Sequence, residues 1–320
     1  MTEKPAQFSI REINVQTDLR PIADLIKASF QEFIDPDGQQ FIDRLNELSY
    51  RVNNRFPGGF LTAFEFNLLG YVAVSNEQKI IGTTHLFPAT THAGTGYLIA
   101  NVCVDQEYRK HGIASALLQH CERFAQRRNI KNLYLHARIE TPQAIHFYLK
   151  RGFTQDAFRT SWIRPRGQKP FHIQSILRIG KPKWQERTLF HHQFAASYPK
   201  ELLWNLNYRP DLFSLNPFNR FMNFLNGSSA NFHRVSDPLN RPICWLVRQP
   251  LDSFADTLWF IPNEIALPEE LVESLQLISN HYQGSKPLMV NCEADTHAET
   301  FVQAGFSRHN RLIWMSKKLF

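Results

Sequence analysis

The chain has 320 residues, a formal charge of +7, 43% hydrophobic and 20% charged residues, and four cysteines. This length suits two domains of ordinary size with a globular composition, and no apolar run reaches the ~18 residues of a membrane span. The N-terminus carries no apolar signal region, so the expected location is cytoplasmic, with no membrane partner.

In chain order, Phe8–Ile13 reads as an opening strand, Asp18–Phe30 as a helix, Asp35–Gly38 as a loop and Gln39–Tyr50 as a second helix. Tyr71–Val74 and Lys79–Phe87 form a hairpin turned at Ser75–Gln78. Tyr97–Val104 is a strand almost free of charge, and it leads into Arg109-Lys110-His111-Gly112-Ile113-Ala114. After it, Ile113, Ala114, Leu117, Leu118, Cys121, Phe124 and Ala125 recur at helical spacing and make one face apolar. Leu133–Arg138 alternates as a strand does. Thr141-Pro142 then supplies a capping residue and a first-turn proline for a short helix. Its apolar face is Ala144, Ile145, Tyr148 and Leu149, and Gly152-Phe153 closes it. Strands near 157–164 and 171–179 complete this half, and Gly180–Lys183 is a basic, turn-prone linker.

A strand that turns through a basic, glycine-containing loop into a helix N-terminus is an anion site. Free N–H groups and the positive end of the helix dipole face the guest. Gly112 has no Cβ to hold the guest away, and Arg109, Lys110 and His111 add charge. A pyrophosphate is the guest this predicts. The net charge alone invites a nucleic-acid reading, but no helix-turn-helix, zinc-finger or RNA-binding signature accompanies the basic clusters. The excess charge is therefore read as a solvated surface that attracts an anionic ligand. The cysteines, at 103, 121, 244 and 292, lack the close pairs of a zinc site, so no metal is expected.

Arg109-x-x-Gly112-x-Ala114, a strand, and then Thr141-x-x-Ala144-Ile145-x-Phe147-Tyr148-x-x-x-Gly152-Phe153 together resemble the acetyl-CoA-binding core of the GCN5-related N-acetyltransferases (GNAT). The motifs cover Tyr97–Phe153, and the flanking strand pattern extends the likeness over 8–180. The resemblance implies an α/β fold of the α+β kind. Its central sheet is mixed and mostly antiparallel, flanked by helices, and splayed between strands 4 and 5. It further implies acetyl-CoA as cosubstrate and an N-acetyltransferase in which a small-molecule or peptide primary amine attacks the thioester directly.

The second half reads as a worn copy of the first. Gly305-Phe306 follows Gly152-Phe153 by 153 positions (306 − 153 = 153), and at that offset Leu288–Glu293 lies over Leu135–Glu140. Thr257–Pro262 resembles the strand before the anion loop, Pro268–Tyr282 its helix, and Arg311–Ser316 the strand around Trp162. Pro262–Leu267, however, has no glycine and no basic residue, and Phe301 replaces the tyrosine. Such a repeat keeps the fold and loses the cofactor. The expectation is a tandem protein, with a catalytic domain over 1–180 and a degenerate domain over 181–320. The aromatic segment from Phe190 to Arg234, with Phe218, Phe221 and Phe224, matches no part of the pattern. It either lines the substrate cleft or joins the halves.

Acyl transfer to an amine needs a base, donors for the oxyanion and an acid for the departing thiolate. By resemblance, the main chain of Val102, Cys103 and Val104 holds the cofactor's arm, and Arg109, Lys110, His111, Gly112, Ile113 and Ala114 hold its diphosphate. Tyr148 falls where the family keeps its acid, the alternative being a structural tyrosine. Thr141 departs from the pattern, because asparagine is usual there and a hydroxyl offers one donor in place of an amide. His136 is the candidate base, at the strand position where relatives acting on protein N-termini often carry glutamate; a structural histidine is the alternative. His85 and Asn101 are further candidates, Asn101 for placing a water. No histidine is positioned in sequence to activate Cys103, so a thiol nucleophile is not expected. Substrate residues are expected on loops 31–65 and 84–96, in a monomer or homodimer. The competing class is an acyl-CoA-binding regulatory or scaffold protein with little turnover.

Overall fold

The computed structural model describes residues 7–53, 68–216, 230–284 and 286–320. Strand β1 (Phe8–Glu12) is followed by helices α1 (Leu19–Phe30) and α2 (Pro36–Asn53), then β2 (Leu69–Ser75), β3 (Ile80–Thr91) and β4 (Gly94–Val104). Next come α3 (Ile113–Arg127), β5 (Asn132–Arg138), α4 (Pro142–Lys150), β6 (Thr154–Arg164) and a short β7 (Arg178–Gly180). The chain continues through α5 (Arg187–Ser197), α6 (Lys200–Leu203), β8 (Asn231–Ser236), β9 (Pro242–Gln249) and β10 (Asp256–Pro262). It closes with α7 (Pro268–His281), β11 (Leu288–Glu293), α8 (Ala298–Gln303) and β12 (Ser307–Lys318).

Two compact units result. The first comprises the described part of Met1–His136 with Tyr148–Thr154 and Met315–Phe320; the second comprises Ala137–Phe147 and the described part of Gln155–Trp314. These units differ from the sequence division at 180, and the reason is strand exchange. β6 joins the sheet of the second unit, and the last residues of the chain join the sheet of the first.

In the first unit the strand order is β1-β2-β3-β4-β5, followed by the end of β12. β1 to β4 pair antiparallel, and β4 pairs parallel with β5. The amphipathic spacing of α1 buries Leu19, Ile22, Ala23, Leu25 and Ile26. With Ile42, Leu45 and Leu48 of α2, they pack on Val72, Val74, Ile80 and Cys103 of the sheet. The N-cap Asp18 is buried, and Arg11 binds both its oxygens, one at 2.9 Å. Helix α3 covers the opposite face. Cys121 Sγ lies 3.9 Å from Thr84 Oγ1, and the Phe124 ring centroid is 5.5 Å from that of Tyr97. At the chain end, Leu319 N donates to Lys131 O at 2.8 Å and Lys317 pairs with Glu122 at 2.6 Å.

In the second unit the order runs from the first part of β12 through β6-β11-β10-β9-β8-β7. β6 and β11 pair antiparallel over Arg159–Arg164, while β10 and β11 run parallel. Trp162 stacks on Phe301 in one core, 5.5 Å between centroids. The described part of the aromatic segment lies in the other core. Phe190, Phe194, Tyr198, Leu202, Leu206 and Phe213 bury against Phe232, Trp245 and Trp259, so the segment supplies this unit's own core. Phe218, Phe221 and Phe224 lie outside the described residues.

Each unit therefore has a mixed, mostly antiparallel sheet flanked by helices, as the resemblance implied. The strand expected over 171–179 is a departure. Alternate side chains are more deeply buried over 171–180, but ladder pairing is confined to Arg178–Gly180, with Ser236–Arg234 of β8. Upstream, the Asn280 side chain stands in for a strand partner, accepting from Phe171 N and donating to Phe171 O, both at 2.9 Å.

Candidate active site

The basic loop has the geometry its sequence requires. Lys110 has φ +67° and Gly112 φ +82°, and Gly112 is the N-cap of α3 with no side-chain capping bond. The first turn of α3 holds no acidic residue, so the amides of Ile113, Ala114 and Ser115 keep the free donors of a helix start. A Cβ built on Gly112 would meet nothing within 4 Å, so glycine is needed for its left-handed backbone and leaves open space in front of the amides. His111 Nδ1 is buried beside them without a hydrogen-bond partner among the described residues. Arg109 is exposed, and its Nε folds back to Val104 O at 3.2 Å.

A wedge opens in the sheet next to this loop. β4 pairs with β5 only over Gly96–Ile99 and Asn132–Leu135. Past Ile99, β4 continues through Ala100–Val104 with its β5 side released, which bares alternate main-chain donors and acceptors. A bulge turns the same stretch. Thr83 pairs with Cys103 and His85 with Ala100, so Asn101 and Val102 together oppose the single Thr84. Asn101 absorbs the irregularity at φ +52°, a conformation that asparagine tolerates better than most residues. The sequence flagged Asn101 for its side chain; its backbone is what shapes the wedge.

Tyr148 lies in the first unit, 8% exposed, its ring 5.8 Å edge-on from Phe153. Burial, with the nearby Cys103 and Cys121 thiols, raises its phenol above the ordinary tyrosine pKa, which keeps it protonated at neutral pH. His136 is half-buried and is the first residue of β5 beyond the last β4 pair. Tyr134, two residues earlier on the same side of β5, is covered. Tyr134 is 2% exposed and bonds Thr91 Oγ1 at 2.8 Å, because the β3–β4 hairpin extends over it. That hairpin, not a loop, also accounts for most of 84–96, whereas 54–65 of the other expected substrate loop lies outside the described residues.

Thr141 lies in the second unit, where its hydroxyl donates to Arg138 O at 2.8 Å. His85 is enclosed, with Phe41 edge-on at 5.7 Å and Phe87 stacked at 6.4 Å, and burial lowers its pKa to about 4. That packing denies a substrate access to its ring. Burial pushes the Cys103 thiol up to about 12, so it stays protonated and weakly nucleophilic. A cavity of about 710 Å³ adjoins the loop at Arg109 and is walled by α1, Lys79, Ile80, Asp105 and Gln106. Its charges are largely spent in the Arg11–Asp18 and Lys79–Asp105 pairs, and neither Tyr148 nor His136 lines it.

The corresponding parts of the second unit differ. β10 pairs with β11 only at Asp256–Leu288 and Thr257–Met289, so a wedge opens there too. The β9–β10 register runs unbroken from Thr257–Gln249 to Pro262–Cys244, with no bulge. Helix α7 starts with Glu269 and Glu270, and the Glu270 carboxylate accepts from Leu267 N at 2.9 Å. An anion already caps this helix.

Residues 26–153 match the acetyltransferase (GNAT) family. The chain is 27% identical to N-alpha-acetyltransferase 60 of Danio rerio, over 61% of this chain and 83% of that protein. It is 33% identical to the protein of the same name from Drosophila melanogaster, over 31% of this chain and 37% of that one. In fold it is similar to a GCN5-related N-acetyltransferase from Sphaerobacter thermophilus, with a TM-score of 0.60 at 12% identity, covering 98% of this chain and 96% of the other.

Proposed function

We propose, from the match of residues 26–153 to the acetyltransferase (GNAT) family, that the first half of the chain passes an acetyl group from acetyl-CoA to a small-molecule or peptide primary amine by direct attack. The observation that carries this reading is the bulged, one-sided stretch of β4 at Asn101–Val104, running straight toward the uncapped amides at Gly112. The open space before Gly112 and the absence of a side-chain cap on α3 fit a diphosphate in the loop.

When bound, acetyl-CoA supplies an activated thioester. The first-turn amides of α3, with Arg109 and Lys110, hold the diphosphate. The released edge of Val102, Cys103 and Val104 bonds an extended arm as a neighbouring strand would, and one N–H polarises the acetyl carbonyl. His136 takes a proton from the incoming ammonium. Tyr148, kept protonated by burial, returns one to the departing sulfur. Thr141, whose hydroxyl already donates to Arg138 O, is assigned no more than a helix-capping part. The name of the Danio rerio relative favours an α-amino group as acceptor. The four buried free cysteines suit a reducing, cytoplasmic setting.

The test is thiol release from acetyl-CoA across a library of amines and short peptides, for the wild type and Tyr148→Phe. Acceptor-dependent release that collapses in the variant is the expected outcome. Coenzyme A binding without release for any amine would leave the chain a binder and reject the enzyme.

A further inference from the structure

The peptide planes at the end of β4 fix which of its atoms face the wedge. Asp105 N donates to Ile81 O at 2.9 Å, so this N–H points to β3. No described peptide bond is cis, and across a trans peptide the preceding carbonyl points the opposite way. Val104 O therefore faces the side from which β5 has parted, as the last acceptor of the released edge before the anion loop. Arg109 holds it: its Nε donates to Val104 O at 3.2 Å, reaching back across the single turn at Gln106–Tyr108. The side chain that suits a diphosphate is thus anchored on the edge that suits an extended arm.

The backbone that carries Arg109 is pinned. The Asp105 side chain accepts from Glu107 N at 3.1 Å, Tyr108 N donates to Asp105 O at 2.9 Å, and Lys79 binds the Asp105 carboxylate at 2.7 Å. Only the Arg109 side chain is left to move, and it is exposed and forms no ion pair among the described residues. A guanidinium on a neutral carbonyl gains by exchanging that partner for an anion, because a charge-assisted bond is the stronger one.

We propose that Arg109 determines specificity as a gate on the wedge, selecting thioesters that carry a diphosphate over those that do not. The inference rests on the cofactor reading given above. An extended arm takes the place of the guanidinium at Val104 O. A coenzyme A thioester compensates for that displacement, because the freed guanidinium gains its diphosphate. A pantetheine thioester offers no such anion, so the contact is lost without return. The penalty is modest, since a carbonyl oxygen can accept more than one bond and the guanidinium is open to water.

The test measures the binding of S-acetylpantetheine and of acetyl-CoA to the full chain by calorimetry, for the wild type, Arg109→Ala and Lys110→Gln. In Arg109→Ala, S-acetylpantetheine binds about threefold more tightly and acetyl-CoA about threefold more weakly, so the preference for the diphosphate shrinks about tenfold. Lys110 has no bond to Val104 O among the described residues; Lys110→Gln weakens acetyl-CoA and leaves S-acetylpantetheine unchanged. The opposite signs in Arg109→Ala are the signature of a gate, because a plain diphosphate ligand leaves S-acetylpantetheine unchanged and a structural residue weakens both. Binding of S-acetylpantetheine to Arg109→Ala no tighter than to the wild type, undetected binding to both included, would overturn the gate while the cofactor reading stands. Failure of the wild type to bind acetyl-CoA would overturn the cofactor reading and the gate with it.

Discussion

The molecule contains the same device twice, a pair of parallel strands that part after a short ladder, and only one copy is equipped for an anion. In the first, four residue pairs hold β4 to β5, a bulge at Asn101–Val102 turns the released edge, and α3 begins at an uncapped glycine. In the second, two pairs hold β10 to β11, the register beside them is unbroken, and Glu270 caps α7. The parting of the parallel pair is common to both units and does not depend on the bulge or on the uncapped helix start. The bulge and the uncapped helix start occur together in the first unit and are both missing from the second.

Converting the first wedge toward the second is the direct way to probe that contrast. Gly112→Asp puts a carboxylate where the amides await one from outside and forces a side chain into φ +82°. Coenzyme A affinity falls by ~1,000-fold in calorimetry, and the expected wild-type stoichiometry of one per chain drops to none, while the left-handed backbone strain, about 1 kcal/mol, lowers the melting temperature by only a few degrees because the Cβ meets no neighbour. Residual binding at one per chain would mean that the second wedge is a cofactor site after all. Tyr148→Phe copies Phe301, which stands 153 positions later (301 − 153 = 148). It lowers kcat by ~100-fold with coenzyme A affinity intact, as steady-state thiol release will read. His136→Met copies Met289 at the same offset (289 − 153 = 136). It costs ~30-fold in kcat at pH 7 and less at pH 9, where fewer amines carry the proton to be removed.

The smallest effect concerns stability. Burial lowers His85 from 6.5 to about 4, so between those values the unfolded chain holds a proton that the folded chain does not. Stability therefore falls as pH falls through that window, by roughly 3 kcal/mol in all. Below it, Asp18, whose pKa is lowered despite burial by its Arg11 hydrogen bond, loses its own contribution as it protonates. His85→Leu flattens the upper part of the acid limb and adds about 1–2 kcal/mol at pH 7, because two buried ring nitrogens lack partners among the described residues. Urea melts at pH 7 and 4.5 measure both.

What the sequence disclosed follows from locality. Helical spacing exposed α1 and α3, a capping threonine and proline marked α4, and a lone glycine amid basic residues located the anion loop. Each is a signal carried within a few neighbouring residues. The bulge was hidden because it is a property of pairing: Asn101 is unremarkable until Thr83 and His85 are known to face Cys103 and Ala100. The alternating run at 171–179 was misread for the same reason, since alternation reports which side chains are buried and says nothing of which backbone receives the hydrogen bonds. That Tyr134 is covered was likewise hidden, because the reach of the β3–β4 hairpin over it is a matter of length in space.

The exchange of β6 and β12 ties the fate of one half to the other. Removing the residues after Trp314 strips the first unit of its Leu319–Lys131 and Lys317–Glu122 contacts, and leaves the outer flank of β5 as a raw hydrogen-bonding edge. The closing segment of the chain, Met315–Phe320, is thereby part of the first unit's own sheet.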